Sequence, residues 1–396
     1  MSLHRGATMI LPLVHDSNDW MRCLGAAQAR AAYPGVPSEP SESKLEGRAC
    51  HEASQQLLER WRKGGVLDFS GIVGSLSKDG VVITQELFDA AYEYVNDVAK
   101  YCDFNFLTKE VCVEQRVDLS RWLQGWYCIP DAYVYDVSSN VLTVWDAKFG
   151  HSIVDVFENW QLLIGAFGII QALDITEPVR QAVKLDLRVV QPRGFTSQGT
   201  IRKWFVTAGA DGVAKYWNEL HRALPVVTGE SPPCKTGPQC KNCSARANCD
   251  TLSRVAYEGI DFAGLLQTHT LAGHNLGVDL KLLRRAQKAI EYRLSGLEEQ
   301  AIHELSNGGL VSYFSTERGK GRERWKKDVP HAEVIMMGDL LGVDIRKPVE
   351  MDTPAQVRKK GIDESVIAEY SETPMTALKL VEVDGAKIRQ IFNTQG

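Results

Sequence analysis

The stretch Pro130–Gly150, PDAYVYDVSSNVLTVWDAKFG, reads as two strands joined by a polar turn. A hairpin needs a sheet to join, and this one places charge where a buried sheet carries little. Asp131 follows a proline at its start, and Asp146 and Lys148 interrupt an apolar run at its end. Charges at the rim of a buried sheet cost free energy unless something compensates them.

Other segments supply the sheet and its cover. VCVEQRVDL alternates as a strand from Val111 to Leu119, and VKLDLRVVQP over 183–192 reads as another. Helical patterns occupy residues 16–32, 48–62, 84–101, 154–173 and 212–224, with Cys50, Ala53, Leu57, Leu58 and Trp61 on one face of the second and Thr84 placed to cap the third. Strands interleaved with helices predict an α/β core built on a mixed sheet. Past about Arg254 the character changes to a charged helical stretch (279–305), a short strand with a basic turn, and helices to the end. The expected division is a core over 1–255, closed by a cysteine segment, and a mainly helical region over 256–396 that contacts DNA or a partner.

The formal net charge of -5 argues against a polybasic tail, so any nucleic-acid contact must come from local clusters of Lys and Arg. No run of about 18 apolar residues occurs and the start lacks a signal-peptide pattern, which predicts a cytoplasmic chain without a membrane span. In a reducing compartment, nine cysteines are expected to serve as core thiols or metal ligands rather than disulfides.

If 137–140 form the hairpin turn, Asp136 faces Val141 and counting back sets Asp131 opposite Asp146. Lys148, two residues on, shares their face; a one-residue slip would move Asp131 to the other. Two carboxylates on one face make a hard-oxygen site for Mg²⁺ or Mn²⁺. An ammonium beside them can orient water or offset charge in a transition state. That combination suits phosphodiester hydrolysis. Glu114, in VEQRVDL, is either a supporting acid or a solvated strand residue.

CKTGPQCKNCSARANC holds Cys234, Cys240, Cys243 and Cys249. Read locally, all four would suit Zn²⁺. ERGKGRERWKK, residues 317–327, gathers Arg318, Lys320, Arg322, Arg324, Lys326 and Lys327 around Trp325, a composition that suits phosphate contact and base stacking or, equally, a solvated turn.

In the order of these elements the chain resembles the RecB-like branch of the PD-(D/E)xK nucleases, and within it a phage-type iron–sulfur exonuclease subgroup. EGRACHEASQQLLERW, VEQRVDL, VWDAKFG, ENWQLLIGAFG, VVQPRG, CKNCSARANC and STERGKGRERW carry the likeness. The resemblance implies a restriction-endonuclease-like core, with His51, Asp131, Asp146 and the Ala147 carbonyl holding the metal. Lys148 would be the catalytic lysine, and Gln161 would position it or the DNA backbone. Where that family has a Tyr four residues after the Gln, this chain has Gly165.

The resemblance also implies a [4Fe–4S] cluster on Cys23, Cys240, Cys243 and Cys249, with Cys234 spare. The implied activity is exonucleolytic digestion of DNA in phage recombination or replication, inside a bacterial host. A single-strand annealing or single-strand binding protein is the implied partner, and a homo-oligomeric ring would give processivity. The competing expectation is a non-catalytic DNA-binding or redox-sensing iron–sulfur module.

Overall fold

The computed structural model describes residues 10–37, 40–104, 110–173, 180–194, 196–263 and 273–317, and a few isolated positions beyond. In chain order the elements are α1 (Ser17–Trp20), α2 (Ala26–Ala32), α3 (Glu42–Gly64), α4 (Gln85–Tyr101), β1 (Val111–Val113), β2 (Val117–Asp118), β3 (Tyr127–Cys128), β4 (Ala132–Asp136), β5 (Val141–Ala147), α5 (Trp160–Ala172), β6 (Lys184–Val190), β7 (Ile201–Val206), α6 (Val213–Val227), α7 (Asp250–Ala263) and α8 (Gly273–Ser306). The main sheet has the order β1-β4-β5-β6-β7. Only the β5–β6 pair is parallel, so the sheet is mixed. β2 and β3 form a separate two-stranded ribbon.

Side-chain alternation along β5 and β6 divides the core into two layers. Leu142 and Val144 of β5 and Leu185, Leu187 and Val189 of β6 pack on one side with Leu162, Leu163, Ile164, Phe167 and Ile170 of α5. Trp145, Ala147 and Val190 turn the other way, against Cys50, Leu57 and Trp61 of α3 and Tyr94, Val95 and Val98 of α4. Helices thus cover both faces, the arrangement expected of an α/β core.

Inside the second layer lies a buried ionic group. Asp97 accepts hydrogen bonds from Trp145 Nε1 at 2.8 Å and Arg188 Nη1 at 3.0 Å, and Arg188 also reaches Asp186. The network ties α4 to β5 and β6.

Several boundaries differ from expectation for local reasons. The strand expected over 111–119 breaks at Glu114, whose φ of 48° is left-handed and turns the chain out of the main sheet. The helix expected from 154 starts at Trp160, because Asn159 caps it with its side-chain oxygen on the Gln161 and Leu162 amides. α3 runs longer than expected, from the Ser41 cap to Gly65 at φ 73°. β7, with its alternating IRKWFV, was not foreseen at all.

The chain divides into two compact units, Met1–Ser315 and Thr316–Gly396. The boundary expected near 255 falls inside α7, and α7 and α8 pack on each other and on the cysteine segment. They therefore belong with the core. The basic residues Arg318, Lys320, Arg322 and Arg324, and Trp325 among them, lie outside the described residues, as does most of 330–396. Among the described residues no helix is long and apolar enough to cross a membrane.

Candidate active site and cysteine cradle

The hairpin has the register that counting back from the turn requires. Asp136 pairs with Val141 and Ala132 with Trp145, so Asp131 comes opposite Asp146 one step past the last pair. Asp131 Oδ2 accepts the Ala147 amide at 2.6 Å. A residue in extended backbone presents its N–H and C=O to the same side, so the Ala147 carbonyl also faces the β4 side. The residue due opposite it is Pro130, which has no N–H to give. The proline thus leaves that carbonyl without its ladder donor at the edge of the site.

Asp146 is buried on the α5 side of the sheet. Its Oδ1 accepts from Lys148 Nζ at 2.7 Å and from Gln161 Nε2 at 3.0 Å, while Gln161 Oε1 accepts from the same ammonium at 3.2 Å. The three side chains close a triangle. Gln161 is fixed at its corner because it sits in the first turn of α5, where Asn159 is itself held by Asn18. Burial pushes the Asp146 carboxyl up against the opposing pull of Lys148. Burial disfavours the Lys148 charge, but Asp146 and Asp131 outweigh it and hold the ammonium's pKa above that of a free lysine. Lys148 is therefore cationic at neutral pH.

His51, half-buried on α3, stands 3.9 Å from Asp131 Oδ1 through Nδ1 and meets the Phe149 ring edge-on at 4.8 Å. Glu114 completes a group with His51 and Asp131, in which one ligand atom from each lies within 4.8 Å of the others. Its amide donates to the Asp131 carbonyl at 3.1 Å, and the left-handed turn at 114 swings its side chain to the site. Burial, then the charges of Asp131 and Glu59, raise the Glu114 carboxyl to about 7. Left-handed backbone at a non-glycine residue is characteristic of functional sites.

The structure brings together Asp131, Asp146, Lys148, Gln161 and His51. It also adds two groups. Glu114 is a full member of the His51–Glu114–Asp131 group that could hold a metal ion, signalled in the sequence only as an acid in an alternating strand. Tyr94 of α4 has a buried hydroxyl without a partner among the described residues. Burial, then Asp131, Glu114 and Asp146, push that hydroxyl well above the ordinary tyrosine range. Tyr94 gave no signal beyond its place on an apolar helix face.

These donors fit a divalent cation. The Asp131 and Glu114 carboxylates and the His51 imidazole converge on one spot, and the Asp146 carboxylate and Ala147 carbonyl lie across the hairpin from Asp131 and Pro130. Asp146 Oδ2 is moreover buried with no protein partner, which a bound cation would satisfy.

A second cluster lies between α2, α8 and the segment after α6. Cys23, Cys234, Cys240, Cys243 and Cys249 line one small cavity. The Cys234 thiol donates to Cys23, whose sulfur also accepts the Lys235 amide at 3.2 Å. These bonds outweigh burial and lower Cys23 to about 7. Cys249 falls to about 6, chiefly through Cys234 and then, against burial, through the Leu252 and Thr251 amides at the start of α7. Cys234, donor to both, is raised, and burial lifts Cys240 to about 11. A Cβ on Gly25 would come within 2.6 Å of Cys234 Sγ and 2.7 Å of the Pro232 carbonyl, so the cradle depends on that glycine.

Among the described residues no three of these sulfurs lie within 4.8 Å of one another.

No curated protein matches the sequence. A family profile described as a protein of unknown function, DUF2800, matches residues 15–383 of the 396. That match spans the hairpin, the His51 helix, the cysteine cradle and most of the C-terminal region. The chain belongs to the DUF2800 family.

Proposed function

We propose that this protein is a metal-dependent deoxyribonuclease that digests DNA from its ends and carries an iron–sulfur cluster as a structural clasp. The observation that carries the reading is the hairpin register, which sets Asp131 opposite Asp146 with Lys148 on the same face. His51 and Glu114 arrive at the same spot from two other elements.

Asp131, Asp146, His51 and the Ala147 carbonyl would hold Mg²⁺ or Mn²⁺, with Glu114 as a further ligand. When bound, such an ion lowers the pKa of water and offsets charge on a phosphate. The protein's own groups supply the rest. Lys148, kept cationic and aimed by Asp146 and Gln161, neutralises charge that develops as water attacks phosphorus. Gln161 holds that ammonium in place, since it both accepts from Lys148 and donates to Asp146. Asp131 is locked by the Ala147 amide, so little reorganisation is needed at the moment of reaction.

Cys23, Cys240, Cys243 and Cys249 would hold a [4Fe–4S] cluster, with Cys234 steadying the thiolates of Cys23 and Cys249 by hydrogen bonds. Cys23 lies far before the other three in sequence, so the cluster would close a loop of more than 200 residues and fasten the start of the chain to the end of the core. By the same resemblance the protein acts in phage recombination or replication, alongside a single-strand annealing or single-strand binding protein.

End-labelled linear DNA with Mg²⁺ or Mn²⁺ tests the reading, with a closed circle as control. The wild type should release label and spare the circle, and Asp146→Ala should be slower by about a hundredfold or more. Undiminished cutting by that variant would refute the site. Tight binding without any cutting by the wild type would favour a binding module instead.

A further inference from the structure

Beside Asp146 and Gln161 opens a cavity of about 360 Å³ with mainly apolar walls. Val144 of β5, Leu162 of α5 and Pro130 form its sides, and Gly165 of α5 forms part of one wall. Glycine inside a helix is disfavoured relative to alanine, so each such residue needs a reason. At Gly168, one position short of a turn further on, the reason is packing, because a Cβ there would run into Leu119. At Gly165 packing gives none: a Cβ would sit 3.7 Å from Pro130, an ordinary contact. What a longer side chain at 165 would do is cross the cavity. The missing side chain keeps that space open.

The rim of the cavity carries two apolar side chains turned to solvent, Tyr127 at 46% exposure and Ile129 at 48%. The Arg116 guanidinium lies over the Tyr127 ring at 3.9 Å. An aromatic ring paired with a guanidinium suits a base and the phosphate attached to it.

Resting on the nuclease reading, we infer that this cavity takes a nucleobase of the strand being cut, from the nucleotide adjoining the scissile phosphate. Its wall includes Asp146 and Gln161, so an occupant is at most one nucleotide from the reacting phosphorus. The walls offer a flat aromatic group apolar contact and few hydrogen-bond partners. The pocket therefore demands a base but does not choose among the four. It also requires that nucleotide to leave the stack, which a frayed end allows more readily than an internal base pair.

The test compares intact linear DNA with the same DNA lacking the base at that nucleotide, replaced by a tetrahydrofuran spacer. Wild type should cut the abasic DNA with kcat/KM lower by about tenfold, the worth of one base in apolar contact with the pocket and the Tyr127 ring. Gly165→Leu should cut intact DNA at the wild type's abasic rate and lose the distinction between the substrates, whereas Gly165→Ala should keep it. Tyr127→Ala, at the exposed rim, should weaken the distinction if Gly165→Leu does not fold. Equal wild-type rates on both substrates would overturn the pocket while leaving the nuclease intact. Failure to cut either substrate would instead remove the nuclease reading, and the pocket with it.

Discussion

Asp131 lies across the hairpin from Asp146, one step beyond the Ala132–Trp145 pair, yet the two carboxylates are held by different partners. Asp131 takes the Ala147 amide, and Asp146 takes Lys148 and Gln161. One acid is thus tied to the backbone and the other to a cation, which keeps two like charges close without a direct contact between them. His51 and Glu114 gather on the Asp131 side.

That crowding of acids should register as pH-dependent stability in metal-free protein. Glu114 stands at about 7 when folded against an ordinary 4.5, so the folded chain binds its proton more tightly than the unfolded chain. The resulting stability is present in full below about pH 4.5 and is lost as pH rises through 7. Glu114→Gln should therefore stabilise the metal-free protein at pH 8 by about 1–2 kcal/mol, allowing for partial exposure, and by almost nothing at pH 4.5. Urea unfolding at the two pH values reads the difference. A Gln variant that is no more stable at pH 8 would contradict the crowding.

The Lys148–Gln161–Asp146 triangle predicts a division of labour. Lys148→Ala should lower kcat by about a hundredfold to a thousandfold, since it removes the positioned charge. Gln161→Ala should lower it by only about tenfold to a hundredfold, because the ammonium stays but loses its fixed place. KM for DNA should change little in either. Steady-state kinetics on linear DNA separate these outcomes; a Gln161→Ala loss as deep as that of Lys148→Ala would mean that Gln161 touches the reacting phosphate itself.

In the cysteine cradle, Gly25→Ala should abolish the cluster, because the added methyl would displace Cys234 from beside Cys23. Cys23→Ser should do the same, while Cys234→Ser should keep iron and colour. Iron content and visible absorption of freshly purified protein decide it. Retained iron in Cys23→Ser, with loss in Cys234→Ser, would exchange the roles of the two residues.

The buried Asp97–Arg188 pair predicts a purely structural effect. Asp97→Ala strands the Arg188 charge in the core and frees the Trp145 indole N–H, for an expected loss of about 3–5 kcal/mol by urea unfolding. A loss below about 1 kcal/mol would mean that Asp186 alone satisfies Arg188.

The hairpin and its register were legible because the polar turn and the period-two alternation fix which residues face each other. The helices carrying His51 and Gln161 were legible from apolar periodicity, though their ends moved with the Ser41 and Asn159 caps. Glu114 was readable as an acid in a strand but not as a ligand, since its role depends on a left-handed turn that propensity does not predict for glutamate. β7 escaped because a buried Arg202 on its inner face and an exposed Phe205 on its outer face break the apolar alternation. The place of Cys234 between Cys23 and Cys249 depends on contacts more than 200 residues apart, which no local pattern encodes.

The most direct measurement is anomalous diffraction from crystals soaked in Mn²⁺. A single strong peak within coordination distance of Asp131 and Asp146, bordered by His51 or Glu114 and absent from Asp146→Ala crystals, is the predicted result. Asp131 and Asp146 turned away from each other, with no manganese between them, would contradict the account.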